Sequence, residues 1–204
     1  MVQFLILAQT ALGNNVVLIG YSSCGVISNS AIKGLVPSTQ PGRVLELINI
    51  AIFIVLISIL ILSFLKSLLV NPSAQPHWSS PDPTAKWPIL SDSNPVGLIR
   101  RLYHDVLPAE AEEHVSLLRK QTLASMTAKI GIYAGWRDVR MWYLVTTKKK
   151  AMVPDCQNLM ILLAREAGAD ITTREIESGH SPFISRTAET VYFVLEAVDA
   201  MRRR

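Results

Sequence analysis

Charge is scarce in this 204-residue sequence, and cysteine and histidine are scarcer. Asp, Glu, Lys and Arg make up 18% of it against 50% hydrophobic residues, a balance that argues against intrinsic disorder. The net charge is only +4, and part of it lies in two short runs, Lys148-Lys149-Lys150 and Arg202-Arg203-Arg204. No basic stretch is interleaved with aromatics, so nucleic acid is not expected as a partner. The 2 cysteines, Cys24 and Cys156, stand far apart without metal-ligand spacing. Neither a disulfide scaffold nor a zinc site is expected, and nothing implies a metal or a cofactor. Met1 to Leu12 is apolar but lacks a basic flank and a small-x-small cleavage site, which speaks against a secretory signal. The C-terminal arginines are not a peroxisomal address. There is no internal repeat, and the length suits one domain over residues 1–204 with a real core.

What is present is a succession of strand and helix patterns. Val16-Val17-Leu18-Ile19, entered from Gly13-Asn14-Asn15, is a short β-branched run that predicts a buried strand. Gln3 to Leu12 before it reads as the tail of a helix, and Val26 to Leu35 after it as a helix ended by Gly34 and Pro37. Leu98 to Tyr103, Ala109 to Arg119 and Leu123 to Ala128 read as short amphipathic helices. Met141 to Thr146 and Ile171 to Ile176 predict strands, with helices over Asp155 to Ala167 and Thr187 to Met201. Alternating strands and helices argue for a parallel sheet covered on both faces. Asn71 to Pro95, rich in proline and serine, reads as a linker.

One long hydrophobic run stands out. Leu47 to Leu65 has no charged residue, and Asn49, Ser58 and Ser63 are its only polar side chains. Roughly 20 apolar residues suffice to span a bilayer, so the run is a transmembrane candidate. The competing expectation is a buried strand over Leu47 to Val55 leading into a core helix. Membrane contact through 47–65, with a single-pass location, and a cytoplasmic location therefore both stand as expectations. Charges do not orient a span, because Lys33 and Arg43 precede the run and Lys66 and Lys86 follow it.

The chemistry-bearing pattern is Gly20-Tyr21-Ser22-Ser23-Cys24-Gly25. A nucleophilic serine needs a sharp, exposed turn between strand and helix, with small residues two before and two after it. Gly20 and Ser22 satisfy that spacing, whereas Cys24 replaces the second glycine. Ser23 as the nucleophile would put Tyr21 two before it, a worse fit. A glycine- and serine-rich β–α turn without chemistry is the plain alternative. Among the 4 histidines, His77 lies in the linker and His114 on a polar helix face, while His104 reads as a cap or a surface residue. His180, in Ser178-Gly179-His180-Ser181-Pro182-Phe183, follows the last strand pattern, where open parallel sheets place their functional loops.

Val16 to Ser22 with its following helix, and Ser178 to Phe183, resemble the α/β-hydrolase superfamily. The likeness is to the plant methylesterase and hydroxynitrile lyase group with its fungal and bacterial esterase-like relatives. Leu102-Tyr103-His104-Asp105-Val106, Gln121-Thr122, Tyr133 to Asp138 and Tyr143-Leu144-Val145 resemble that group's cap-to-core segment. The likeness covers about Val16 to Leu35 and Val96 to Arg204. It implies an α/β fold, mostly parallel with helices on both faces and a small helical cap. It also implies Ser22 as nucleophile, His180 as its base and the Ser23 backbone N–H as one oxyanion donor.

The same resemblance exposes departures. The family's first strands, and the loop carrying its second oxyanion donor, would precede Val16, so the fold is expected to be partial and truncated at its start. Losing one such donor costs about 10²–10³ in turnover. The family's triad aspartate falls at Lys149 or an immediate neighbour, and all of these are lysines. Loss of that carboxylate costs on the order of 10⁴. Asp155 is a candidate substitute acid, although an N-cap of the following helix is its simpler reading, and Asp170 reads as a turn residue. Two functions follow. One is a carboxylic-ester hydrolase acting on a small ester or lactone, in secondary metabolism, with reduced or no activity. The other is a non-catalytic pseudo-hydrolase, membrane-anchored if 47–65 spans. The oligomeric state is not legible.

Overall fold

The structure is a computed structural model that describes residues 1–35, 42–54, 89–90, 95–119, 121–122, 132–151 and 153–203. Four parallel strands form the central sheet: β1 (Val16–Tyr21), β2 (Val44–Ile50), β5 (Arg140–Thr146) and β6 (Ile171–Ile176), in the order β1-β2-β5-β6. Two short antiparallel strands, β3 (Ile89–Leu90) and β4 (Gln121–Thr122), pair with each other. Seven α-helices and a short 3-10 helix (Gly135–Arg137) complete the described chain, the α-helices being α1 (Val2–Ala11), α2 (Cys24–Ala31), α3 (Pro95–Leu102), α4 (Pro108–Leu117), α5 (Pro154–Glu166), α6 (Pro182–Ser185) and α7 (Thr187–Arg202). The strand expectations at Val16, Met141 and Ile171 and the helices at Gln3, Val26, Leu98, Ala109, Asp155 and Thr187 all correspond to elements here, but the Val16 strand is not the buried one expected: β1 ends the described sheet, is mostly half-buried and leaves Ile19 exposed. Leu123 to Ala128 lies outside the described residues, as does nearly all of the proline-rich stretch.

Period-two alternation assigns the side chains of the sheet to two cores. Leu47, Met141, Tyr143 and Val145 face Ile6 of α1, Ile32 next to α2, and Met160 and Ile161 of α5. Ile48, Ile50, Trp142 and Leu144 face Phe193 and Ala197 of α7. Helices therefore cover both faces, which is why the central strands read as nearly unbroken apolar runs. Proline at the first helical position opens α4 and α5 without loss of a hydrogen bond. Gly168, at φ 95°, closes α5 through the bonds Gly168 N–H to Arg165 O and Ala169 N–H to Ala164 O.

The long apolar run is resolved over its first part. Leu47 to Ile50 lie inside β2, paired to β1 on one side and β5 on the other, and Ala51 to Ile54 continue buried beyond the strand. A single membrane-spanning helix over 47–65 is thus ruled out at its amino-terminal end. The run is apolar there because a central strand with both faces covered has no solvent side. Residues 55–65 lie outside the described residues. Among the described residues, no helix is long and apolar enough to cross a membrane.

The α7 face offers a direct test of this packing. Phe193 is 3% exposed and meets Trp142 edge-on at a ring separation of 6.2 Å. Phe193→Ala is expected to cost about 3–5 kcal/mol of unfolding free energy, read from urea denaturation. An exposed neighbour, Tyr192→Ala, is expected to change it by less than about 0.5 kcal/mol.

Candidate active site

Two neighbouring strands end at the same level with residues in left-handed backbone. Tyr21 of β1 pairs with Ile50 of β2, and the next residues, Ser22 and Ala51, have φ of 51° and 50°. For a residue other than glycine this conformation costs roughly 1–2 kcal/mol, so something must hold it. Ser22 N–H donates to Ile50 O at 3.3 Å, while Phe53 N–H and Gly25 N–H donate to Ser22 O at 3.4 and 3.2 Å. Ala51 N–H donates to Leu144 O at 3.2 Å, and Ala51 O accepts from Lys149 Nζ at 2.8 Å. The turn at Ser22 sends the chain directly into α2.

Glycine is required on both sides of this turn, but not symmetrically. A Cβ at Gly20 would stand 2.8 Å from Ser28 Oγ and 3.1 Å from Asn49 Oδ1. On the far side the crowded position is Gly25, where a Cβ would come within 2.5–2.6 Å of Ile52. Cys24 is exposed, so its extra atoms meet no such obstacle. The departure from glycine at residue 24 costs the turn nothing visible, because residue 25 carries the close approach. Ser23 is the N-cap of α2, and its N–H is among the donors that a helix start leaves unpaired.

His180 arrives from the loop after β6, which continues alongside the end of β5. Thr147 N–H donates to Ile176 O and Lys148 N–H to Ser178 O, both at 3.0 Å. Gln157 of α5 pins the last residue of β5, accepting from Thr146 N–H at 3.2 Å and donating to Thr146 O at 3.0 Å. The outcome is that His180 Nε2 lies 3.0 Å from Ser22 Oγ. The ring is 4% exposed, packs against Tyr21 at 4.9 Å between centroids, and Tyr21 also meets Phe183 edge-on. Tyr21 Oη and Ser181 Oγ share a hydrogen bond of 2.9 Å, which ties the serine turn to the histidine loop. Burial raises the Tyr21 phenol pKa far above its ordinary value, keeping it neutral.

His180 Nδ1 is buried without a hydrogen bond among the described residues. Asp155 does not reach it: that side chain is exposed in the first turn of α5, where a negative charge suits the helix start. Asp155 is not the N-cap either, because Val153 holds that position and makes no side-chain cap. The place expected for the acid holds Lys149, which is 3% exposed. Burial pushes its amine down to about 7. His180 is held well below the ordinary histidine range, first by burial and then by the charge of Lys149. Asp170 pairs with Arg140 at 2.6 Å, at the start of β5.

Asp105 was given no role at the site from the sequence, and the remaining histidines lie as follows. His104 is half-buried and, with Asp105, lies against Gly179. Asp105 Oδ2 accepts from Gly179 N–H at 2.6 Å and from Ser185 Oγ at 2.7 Å. His114 stacks on Tyr103 and lies 3.8 Å from Glu110, while His77 lies outside the described residues. Among the described residues, no three His, Cys, Asp or Glu side chains converge as a metal site requires. The arrangement can pass a proton between a half-buried hydroxyl and a buried imidazole, beside an unpaired backbone donor.

The alpha/beta hydrolase family model matches residues 2–191, whereas no curated protein matches the chain in sequence. Among solved structures the chain is similar to polyneuridine aldehyde esterase, with a TM-score of 0.69 and 16% identity over 96% of this chain and 76% of that one. Tomato methylketone synthase I with 2-tridecanone gives 0.70 and 15%, over 98% and 76%. A pyrethroid hydrolase gives 0.70 and 15%, over 96% and 74%. At such identities the likeness concerns the fold, and this chain corresponds to about three quarters of each neighbour.

Lys149 makes stability depend on pH in a defined direction. A lysine whose folded pKa is depressed binds fewer protons folded than unfolded, so stability rises with pH between the folded and unfolded values. From pH 7.5 to 9.5 the unfolding free energy should gain about 2 kcal/mol relative to Lys149→Met, which lacks the titrating amine. Parallel denaturation curves for the two proteins check this; equal slopes contradict it.

Proposed function

We propose that this chain, which belongs to the alpha/beta hydrolase family, is a serine hydrolase of the carboxylic-ester type with reduced activity towards a small ester or lactone. The observation that carries the reading is the 3.0 Å approach of His180 Nε2 to Ser22 Oγ at a left-handed strand–helix turn. Two of the similar structures are named as an esterase and a hydrolase, which supports the ester class. Substrates of secondary metabolism fit the expectation from the plant-type resemblance.

In this reading the Ser22 hydroxyl attacks the ester carbonyl as its proton passes to His180 Nε2. The carbonyl oxygen becomes an oxyanion, stabilised by the Ser23 N–H. Collapse of the tetrahedral adduct expels the alcohol, which takes the proton from His180 and leaves an acyl-serine. Water, deprotonated by the same imidazole, then releases the acid and restores Ser22. Among the described residues no acceptor fixes a proton on Nδ1, and a positive Lys149 opposes imidazolium formation. Both effects weaken the base, and a mispositioned tautomer alone costs about 10⁴ in a well-studied triad. A non-catalytic pseudo-hydrolase is the second reading, and the unpartnered Nδ1 beside Lys149 is what favours it.

A fluorophosphonate probe separates the two. Slow labelling that disappears in Ser22→Ala supports the hydrolase, and absence of labelling in the parent protein supports the pseudo-enzyme. The labelling rate should climb as pH rises through about 7, where Lys149 loses its charge, and Lys149→Met should lack that rise. Lys149→Asp, which puts a carboxylate at the position of the acid, is expected to speed labelling at least about 10-fold, a modest part of what the carboxylate supplies in a complete triad.

A further inference from the structure

We propose that Asp105 is a positioning residue for His180, taking over by a backbone route the orienting task that, among the described residues, no carboxylate performs at the imidazole itself. This rests on the reading of Ser22 and His180 given above. The contacts are specific to the histidine loop. One carboxylate oxygen, Asp105 Oδ2, accepts both the N–H of Gly179, the residue before His180, at 2.6 Å and the hydroxyl of Ser185, five residues after it, at 2.7 Å. The acceptor therefore holds the loop on either side of the ring, and charged acceptors make the stronger hydrogen bonds.

Gly179 is shaped for this contact. A Cβ there would lie 2.3 Å from Asp105 Oδ1 and 2.8 Å from His104 Cε1, so only glycine lets the carboxylate reach the backbone this closely. The other oxygen, Asp105 Oδ1, is buried without a hydrogen-bond partner among the described residues. Asp105 is 74 residues from Gly179 in sequence and comes from the connection between α3 and α4. The segment that joins α3 and α4 thus also fixes the loop of the candidate base. At the far side of the same loop Tyr21 binds Ser181, so the ring is held between two anchors.

The test compares the parent protein with Asp105→Ala, Asp105→Asn and Ser185→Ala, in two readouts. The first is amide hydrogen exchange of the peptide covering residues 177–186, and the second is the rate of Ser22 labelling by the fluorophosphonate. Asp105→Ala should speed loop exchange at least 10-fold and slow labelling about 10- to 100-fold. Asp105→Asn keeps an acceptor oxygen and should restore most of both, with Ser185→Ala falling between. If Asp105→Ala does not fold, Ser185→Ala and Asp105→Asn still order the effects. Unchanged loop exchange in the variants overturns the proposal, as does faster exchange with an unchanged labelling rate. If the parent protein is never labelled, the hydrolase reading fails and the positioning role with it, even where exchange shows that the loop anchor is real.

Discussion

Ser22 sits in left-handed backbone at the end of β1, and the chain can reverse from strand into α2 there only because its neighbours leave room. Gly20 makes space for Ser28 and Asn49, and Gly25 for Ile52. The strain is offset by hydrogen bonds to the end of β2 at Ile50 and to the chain beyond it at Phe53. The same neighbourhood fixes Ala51 in a matching conformation. What looks like one motif residue is therefore a property of two adjacent strand ends, and the sheet must be paired before the hydroxyl can be presented.

Electrostatics set the character of this site. A buried imidazole with one nitrogen on a serine hydroxyl ordinarily has a carboxylate on the other. Here the position after β5 supplies a buried amine, whose hydrogen bond goes to the backbone of Ala51. Lys149 thereby supports the turn next to the serine while it lowers the proton affinity of the histidine. One side chain strengthens the scaffold and weakens the base.

Much of the fold was legible because its signals are local. The β-branched run at Val16, the Met141 and Ile171 strands and the helix from Thr187 each declare themselves by composition and period. Ser22 and His180 were legible for a related reason: a small-residue turn after a strand and a histidine after the last strand are positions that parallel sheets use. The run from Leu47 was ambiguous, since a strand buried on both faces has the same continuous apolar texture as a membrane span, and its polar exception, Asn49, is itself buried. Asp105, Tyr21 and the inward course of Lys149 were not legible. Their partners are Gly179, Ser181 and Ala51, contacts made across the fold that no spacing encodes. Asp155 shows the converse error: its position suggested an N-cap or an acid, and Pro154 at the first helical position moved the cap back to Val153.

The account stands on the meeting of Ser22 Oγ and His180 Nε2, and side-chain nitrogen NMR of the histidines reads it directly. Ser22→Ala removes the hydroxyl and nothing else of size. The Nε2 resonance of His180 should shift on that substitution while the ring signals of His77, His104 and His114 stay in place. An Nε2 resonance unmoved by the loss of the hydroxyl would mean that the two groups do not touch, and the site would reduce to a fold without a proton path.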